Sequence, residues 1–379
     1  MPPAEHMTLA DIRPRTRQEL ELAAAIAGIP KALVHNHLDG SIPAEIVLKL
    51  AKERDVEFSF PEKDRLGNPS PRHGEAIDSP DKLRELWGGW GTYDIVDQFS
   101  ATTSLMQTRE CIIAMTQEYV KSLQKQNILY VETRFAPQYC TQQGLSLDES
   151  VAAALEGLKR GSAETGVRTA LIVCIGRESD VETGLEIAET ALAYQHKGVV
   201  ALDLACWEVP YPPELHAKAF EATLGSDLKR TVHAGEMCST QEENLRNIFT
   251  ALRVLHADGI GHAIPLPART YGAVHDLWKM FKEGNVRLES NPISNLTLGS
   301  ISDARVLELN TLANNGILVT INDDDPKMWR NGELACNLYA VARMHGTDFL
   351  KQVIANPVRA AFGLSEKEKE NLAAKMEFA

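Results

Sequence analysis

Two histidines stand two positions apart in Val34-His35-Asn36-His37-Leu38-Asp39-Gly40. Alternate residues of a strand point the same way, so both imidazoles face one side, where neutral rings at that spacing can share a borderline metal such as zinc. By itself such a pair is as readily an accident of composition. A third histidine lies in Thr231-Val232-His233-Ala234-Gly235-Glu236, with a carboxylate three residues on, past a small Ala-Gly pair that lets the chain turn tightly. Taken singly, His233 would sooner be a structural hydrogen-bonder. His262 ends Gly259-Ile260-Gly261-His262, and three carboxylates run together in Asn322-Asp323-Asp324-Asp325-Pro326. Adjacent carboxylates repel one another unless a cation or protons offset them, although a solvated acidic loop is the plainer reading of that triplet alone. All four clusters follow apolar runs. Together they predict three histidines and an aspartate converging on one metal, with a glutamate and a second aspartate beside it.

The elements that must position these groups are short apolar runs at 32–37, 128–135, 169–175, 199–205, 230–233, 259–262, 286–289 and 317–321. Several are rich in Val, Ile and Leu without strict alternation, as parallel strands buried on both faces should be. Helical patterns lie between them, at 147–161, 182–195, 241–254 and 307–315. Eight strands, each followed by a helix, predict a closed (β/α)₈ TIM-type barrel, whose sites form at the C-terminal strand ends. An open dinucleotide-binding sheet has the same rhythm, but no Gly-x-Gly-x-x-Gly follows the first strand. Residues 55–91 break the rhythm with Pro, Gly and charge. They are expected to form a lid insertion after the first strand, within about residues 55–100, carrying Trp87 and Trp90 over the mouth. The tail from 347 onward reads as extra C-terminal helices, and the chain of 379 residues as one barrel domain.

Composition narrows the partners. The formal net charge is −13 and no basic stripe is present, which argues against a nucleic-acid partner. No apolar stretch approaches the roughly 18 residues needed to span a bilayer. The start of the chain lacks a cationic segment followed by an apolar run. Six cysteines without a Cys-x-x-Cys pair read as reduced, mostly buried thiols, so a cytoplasmic protein without a membrane partner is expected.

The ordered motifs HxHLDG, TVHAGE, Ile260-Gly261-His262, Asn291-Pro292-Ile293-Ser294-Asn295 and the Asp-Asp-Pro ending resemble those of the adenosine deaminase family, over about residues 31–362. Residues 199–205 are similar to that family's fourth strand. The resemblance implies one zinc ion per chain, held by His35, His37, His233 and Asp324, which would lower the pKa of a bound water toward about 7. It implies Glu236 as the acid that protonates purine N1 and His262 as the group that orients the nucleophile. Asp325 would bond N7, Asp39 the ribose 5′-hydroxyl, and the backbone N–H of Cys206 purine N3. The implied activity is deamination of adenosine and deoxyadenosine, with adenine, methylthioadenosine or aminofutalosine as other 6-aminopurine substrates of such a site. Cys206 and Ala263 replace residues that are often Gly in that family, and Asn36 replaces an apolar one. Counting back from Pro326 assigns Asp324, not Asp323, to the metal.

Overall fold

Eight parallel strands follow one another in chain order, each paired with the next. They are β1 (Lys31–His37), β2 (Ile128–Phe135), β3 (Arg168–Gly176), β4 (Val199–Ala205), β5 (Lys229–Ala234), β6 (Gly259–His262), β7 (Arg287–Ser290) and β8 (Leu318–Ile321). The computed structural model describes residues 4–268 and 272–376. Every run expected from the sequence forms its strand, with bounds within one residue at each end. β2, β3 and β4 are buried along nearly their whole length, as strands covered on both faces must be.

The barrel closes between β8 and β1 in an irregular way. The seam has one parallel bridge, Asn36 to Asp324. His37 N donates to Asp324 O at 2.8 Å and Asp324 N to His35 O at 3.3 Å. Below this, a side chain stands in for the missing ladder: Asn322 Oδ1 accepts from Val34 N at 3.0 Å and His35 N at 3.1 Å. The seam is therefore built from the segments that carry the candidate metal-binding residues.

The helices differ more from expectation. An N-terminal helix not anticipated from the sequence, α1 (Arg17–Gly28), starts with a capping box of Thr16 and Glu19. Lys31 Nζ then donates to Ala27 O and Ile29 O at that helix's end. Next come α2 (Ala44–Glu53) and the insertion, which is folded: α3 (Pro80–Trp87) and α4 (Ile95–Thr103) occupy its second half. Both have side-chain N-caps, from Ser79 and Asp94. A longer helix, α5 (Arg109–Lys125), leads into β2. The tail forms three short helices, Thr347–Val353, Asn356–Arg359 and Glu366–Ala373. Among the described residues no helix is long and apolar enough to cross a membrane.

Because Asn322 Oδ1 accepts from two buried β1 donors, Asn322→Ala is expected to destabilise the barrel. An orphaned buried donor costs about 1–3 kcal/mol. Urea unfolding would read the change, and a midpoint equal to that of the native chain would show that the seam does not depend on this amide.

Candidate metal centre and active site

β1 delivers His35 and His37, β5 delivers His233, and the turn after β8 delivers Asp324; one ligand atom from each lies within 4.8 Å of all the others. His35 Nε2 is 3.0 Å and His37 Nε2 3.3 Å from Asp324 Oδ1. His37 Nε2 and His233 Nε2 are 3.1 Å apart. The far sides of two rings explain this arrangement. His35 Nδ1 lies 2.7 Å from Glu289 Oε2, and His233 Nδ1 lies 3.2 Å from Asp203. With each Nδ1–H donated to a carboxylate, both Nε2 atoms are left as lone pairs aimed at Asp324 and His37. Three imidazole nitrogens and one carboxylate oxygen converging in this way fit a divalent cation.

The electrostatics agree with that donor set. Burial brings His233 down to about 4, so its ring is neutral at pH 7. Burial opposes ionisation of Asp324, but the His35 and His37 rings against its Oδ1 overcome it and hold the carboxyl well below its usual range. Asp323 faces the other way. It accepts from Asn36 Nδ2 at 2.8 Å, Tyr119 of α5 donates to the same Asn36, and burial lifts Asp323 to about 7. The structure thus turns Asp324 into the barrel and Asp323 toward the helix layer.

Glu236 and His262 approach the same point: Glu236 Oε1 lies 3.5 Å from His262 Nδ1, and His262 Nε2 lies 3.9 Å from Asp324 Oδ2. Asn295 holds the His262 ring at 2.8 Å, and Ser294 Oγ donates to Asp324 Oδ2 at 2.6 Å. Burial, then the charges of Asp324, Glu208 and Asp325, push the Glu236 carboxyl well above its usual range. Burial and Asp324 do the same to Asp325.

The backbone is strained where it presents these groups. Cys206, His262, Ala263 and Asp324 have φ of 74°, 68°, 44° and 60°, left-handed values that cost a non-glycine residue roughly 1–2 kcal/mol. A glycine would be unstrained at Cys206 and Ala263. Gly261 cannot vary in the same way, because a Cβ there would sit 2.8 Å from His35 Cε1.

Above this floor opens a cavity of about 310 Å³, lined by Asp39, Cys206, Glu236, His262 and Asp325 among others. One wall comes from the insertion through Ile95, Val96, Phe99 and Thr103 of α4. Trp87 and Trp90 do not line it, contrary to the expectation from sequence. Trp87 is buried beside a separate hollow of about 390 Å³ with Arg84 and Lys327, and Trp90 packs edge-on against Trp329. That larger hollow contains none of the histidines, so the chemistry belongs to the smaller cavity. The cysteines also differ from expectation: three are buried, but Cys206 is exposed.

Residues 30–378 match the family described as adenosine deaminase. The chain belongs to the adenosine deaminase family. An adenosine deaminase from Clostridium acetobutylicum is 31% identical over 360 residues, covering 94% of this chain and 100% of the relative. Among solved structures, an adenine deaminase from Arthrobacter aurescens is similar with a TM-score of 0.75 at 23% identity, covering 92% of this chain and 98% of that one. An N6-methyl-AMP deaminase from Arabidopsis thaliana is similar with a TM-score of 0.73 at 20% identity, covering 92% and 96%. Like its adenosine deaminase relatives, this chain is a hydrolase of amidine C–N bonds.

Sequence reasoning missed the groups behind the histidines in this adenosine deaminase relative. Arg134 donates to Asp203 and Glu289, each at 2.9 Å, and Arg287 donates to Glu132 and Glu289, each at 2.6 Å. A readable signal existed: charged residues inside strands buried on both faces must be paired. Asp203→Asn is expected to weaken metal retention about 10–100-fold, as losing a carboxylate behind a ligating histidine typically does. Competition against a chelator, with circular dichroism as a folding control, measures it. Unchanged retention in a folded variant would remove Asp203 from the metal centre.

Proposed function

We propose that this chain hydrolyses adenosine and deoxyadenosine to inosine and deoxyinosine with release of ammonia. One zinc ion per chain would be held by His35, His37, His233 and Asp324. The observation that carries the reading is the convergence of that donor set with Glu236, His262 and Asp325 on the floor of one cavity. Bound there, zinc supplies a Lewis acid that acidifies a water molecule.

The chain's own residues then do the following work. Glu236, whose protonated form burial and acidic neighbours favour, donates to purine N1 as water adds to C6. His262, neutral in its buried setting, orients the attacking water. Asp325, whose carboxyl burial and Asp324 also push upward, donates to N7, whose lone pair needs a donor. Both contacts draw electron density from C6 and lower its resistance to attack. One proton of the added water restores Glu236, and transfer of the remaining hydroxyl proton to the 6-amino group lets ammonia leave and gives the 6-oxo purine. The backbone N–H of Cys206 faces N3.

Two features favour a nucleoside over its relatives' other substrates. Asp39 lines the cavity with a buried Oδ1 that has no partner among the described residues, an acceptor that a ribose 5′-hydroxyl would satisfy. Among the described residues lining the cavity none is Lys or Arg, so a 5′-phosphate dianion would meet a carboxylate and no cation.

Purified protein assayed against adenosine, deoxyadenosine, adenine and AMP is expected to prefer the two nucleosides. Glu236→Gln should lower turnover by about 10²–10⁴-fold, the usual share of general acid catalysis, with metal retained. Faster turnover of AMP or adenine, or a Glu236→Gln variant within a few-fold of the native rate, would overturn this reading.

The Asp39 assignment has its own measurement. Adenosine is expected to be a better substrate than 5′-deoxyadenosine, because the unpaired acceptor costs about 1–3 kcal/mol. Asp39→Ala should narrow that ratio of kcat/KM values; an unchanged ratio would make Asp39 a turn residue only.

A further inference from the structure

The segment that carries Glu236 has no regular structure to hold it. β5 ends at Ala234 and the next helix begins at Gln241, and Gly235 turns the chain with φ of 76°. A Cβ at Gly235 would lie 2.7 Å from Ile248 Cδ1, so this turn is packed close on its inner side. Its backbone N–H groups nevertheless need partners, and the ones they find come from a different loop.

That loop follows β4. Its residues Cys206, Trp207 and Val209 are exposed, yet Glu208 between them is 2% exposed. The Glu208 carboxylate reaches across to the segment after β5. Oε1 accepts from Gly235 N at 2.9 Å and from Asn247 Nδ2 at 3.0 Å. Oε2 accepts from Glu236 N at 2.7 Å and from Met237 N at 2.9 Å. Three successive backbone N–H groups converge on one carboxylate, the concave donor set that binds anions in other proteins. Three charge-assisted bonds fix the backbone on both sides of Glu236, and the fourth ties Glu208 to Asn247 in the helix that begins at Gln241.

We infer that Glu208 is the positioning residue for Glu236: through these bonds it sets where the acid stands relative to the substrate. This rests on the role proposed above for Glu236. Glu208 is outside the donor set that faces the metal and the side chains lining the cavity, so it acts through the loop alone.

The test is a double-mutant comparison on the full-length, metal-loaded protein, with adenosine as substrate. In Glu208→Gln the amide nitrogen faces two N–H donors in either orientation, so the loop must shift. A displacement of about 1 Å in a reacting group can cost about 10²-fold. Glu208→Gln is therefore expected to lower kcat about 10²-fold, with KM and metal content near those of the native protein. Glu208→Asp, which keeps the charge, should recover part of the loss. In a Glu236→Gln background, Glu208→Gln should have almost no further effect on kcat, because residues acting as one unit are not additive. A merely structural role would instead lower activity by the same factor in both backgrounds, and that result overturns the inference. So does a Glu208→Gln kcat within about three-fold of native while Glu236→Gln alone is crippled. Near-native activity of Glu236→Gln itself would overturn the parent reading and this one with it. Should Glu208→Gln not fold, Asn247→Ala removes one of the four bonds and decides by the same comparison, a kcat loss that vanishes beside Glu236→Gln supporting the inference and an additive loss overturning it.

Discussion

Inside the barrel, Arg134 lies between Asp203 and Glu289, and Arg287 lies between Glu132 and Glu289, all fully buried. Charges in such a place are tolerable only when paired and hydrogen-bonded, since removing one partner of a buried pair typically costs about 3–5 kcal/mol. Burial opposes ionisation of Glu289, yet Arg287 and Arg134 hold its carboxyl well below the usual range. Thr231 Oγ1 donates to its other oxygen at 2.9 Å. The ionised carboxylate then orients His35, and Asp203 does the same for His233. The direction of the two lone pairs is thus set by which strands stand beside each other, and the strand register becomes part of the metal site.

A second constraint acts at the strand ends. A strand points alternate side chains inward along its length, but a site at the barrel mouth needs neighbouring groups gathered over the axis. Left-handed turns at Cys206, His262, Ala263 and Asp324 make that change of direction. Such strain persists only where surrounding structure fixes it. Here it is fixed by the backbone bonds between β1 and the turn after β8, and by Ala263 N donating to Ala234 O at 3.0 Å. Close approach does the rest. A Cβ at Gly40 would fall 1.8 Å from Asp325 Oδ1, so the Asp-Gly after β1 leaves room for the aspartate after β8.

The strands and the residues at their ends were legible because both signals are local. An apolar run between helical patterns marks a buried parallel strand, and a histidine or aspartate just past it marks the barrel mouth. The insertion was legible only as an interruption: its Pro, Gly and charged residues hide α3 and α4, whose apolar faces read as scattered residues until α4 is seen lining the cavity. Asp203, Glu289 and Arg134 were overlooked because they lie within runs that read as core. Glu208 was beyond reach. Its partners lie 27–29 residues away in another loop, and nothing in Cys-Trp-Glu-Val-Pro marks the glutamate as turned inward.

Three carboxyl groups of one site are pushed in opposite directions by their environments. Asp324 lies against the His35 and His37 rings, which hold its carboxyl well below the usual range. For Glu236 and Asp325, burial and the charge on Asp324 both push the carboxyl well above its usual range. Pairs of acids pushed apart in this way divide the labour of a site. An ionised carboxylate can hold a cation, while a protonated carboxyl has an O–H to donate and still accepts through its other oxygen. In the proposed reading, the O–H groups of Glu236 and Asp325 meet lone pairs on both sides of the carbon being attacked. The N1 and N7 atoms of a purine flank C6 in that manner, whereas a pyrimidine has no ring nitrogen in the place of N7. On that reading, the acidity pattern at Glu236 and Asp325 favours a purine ring before any contact with the sugar does.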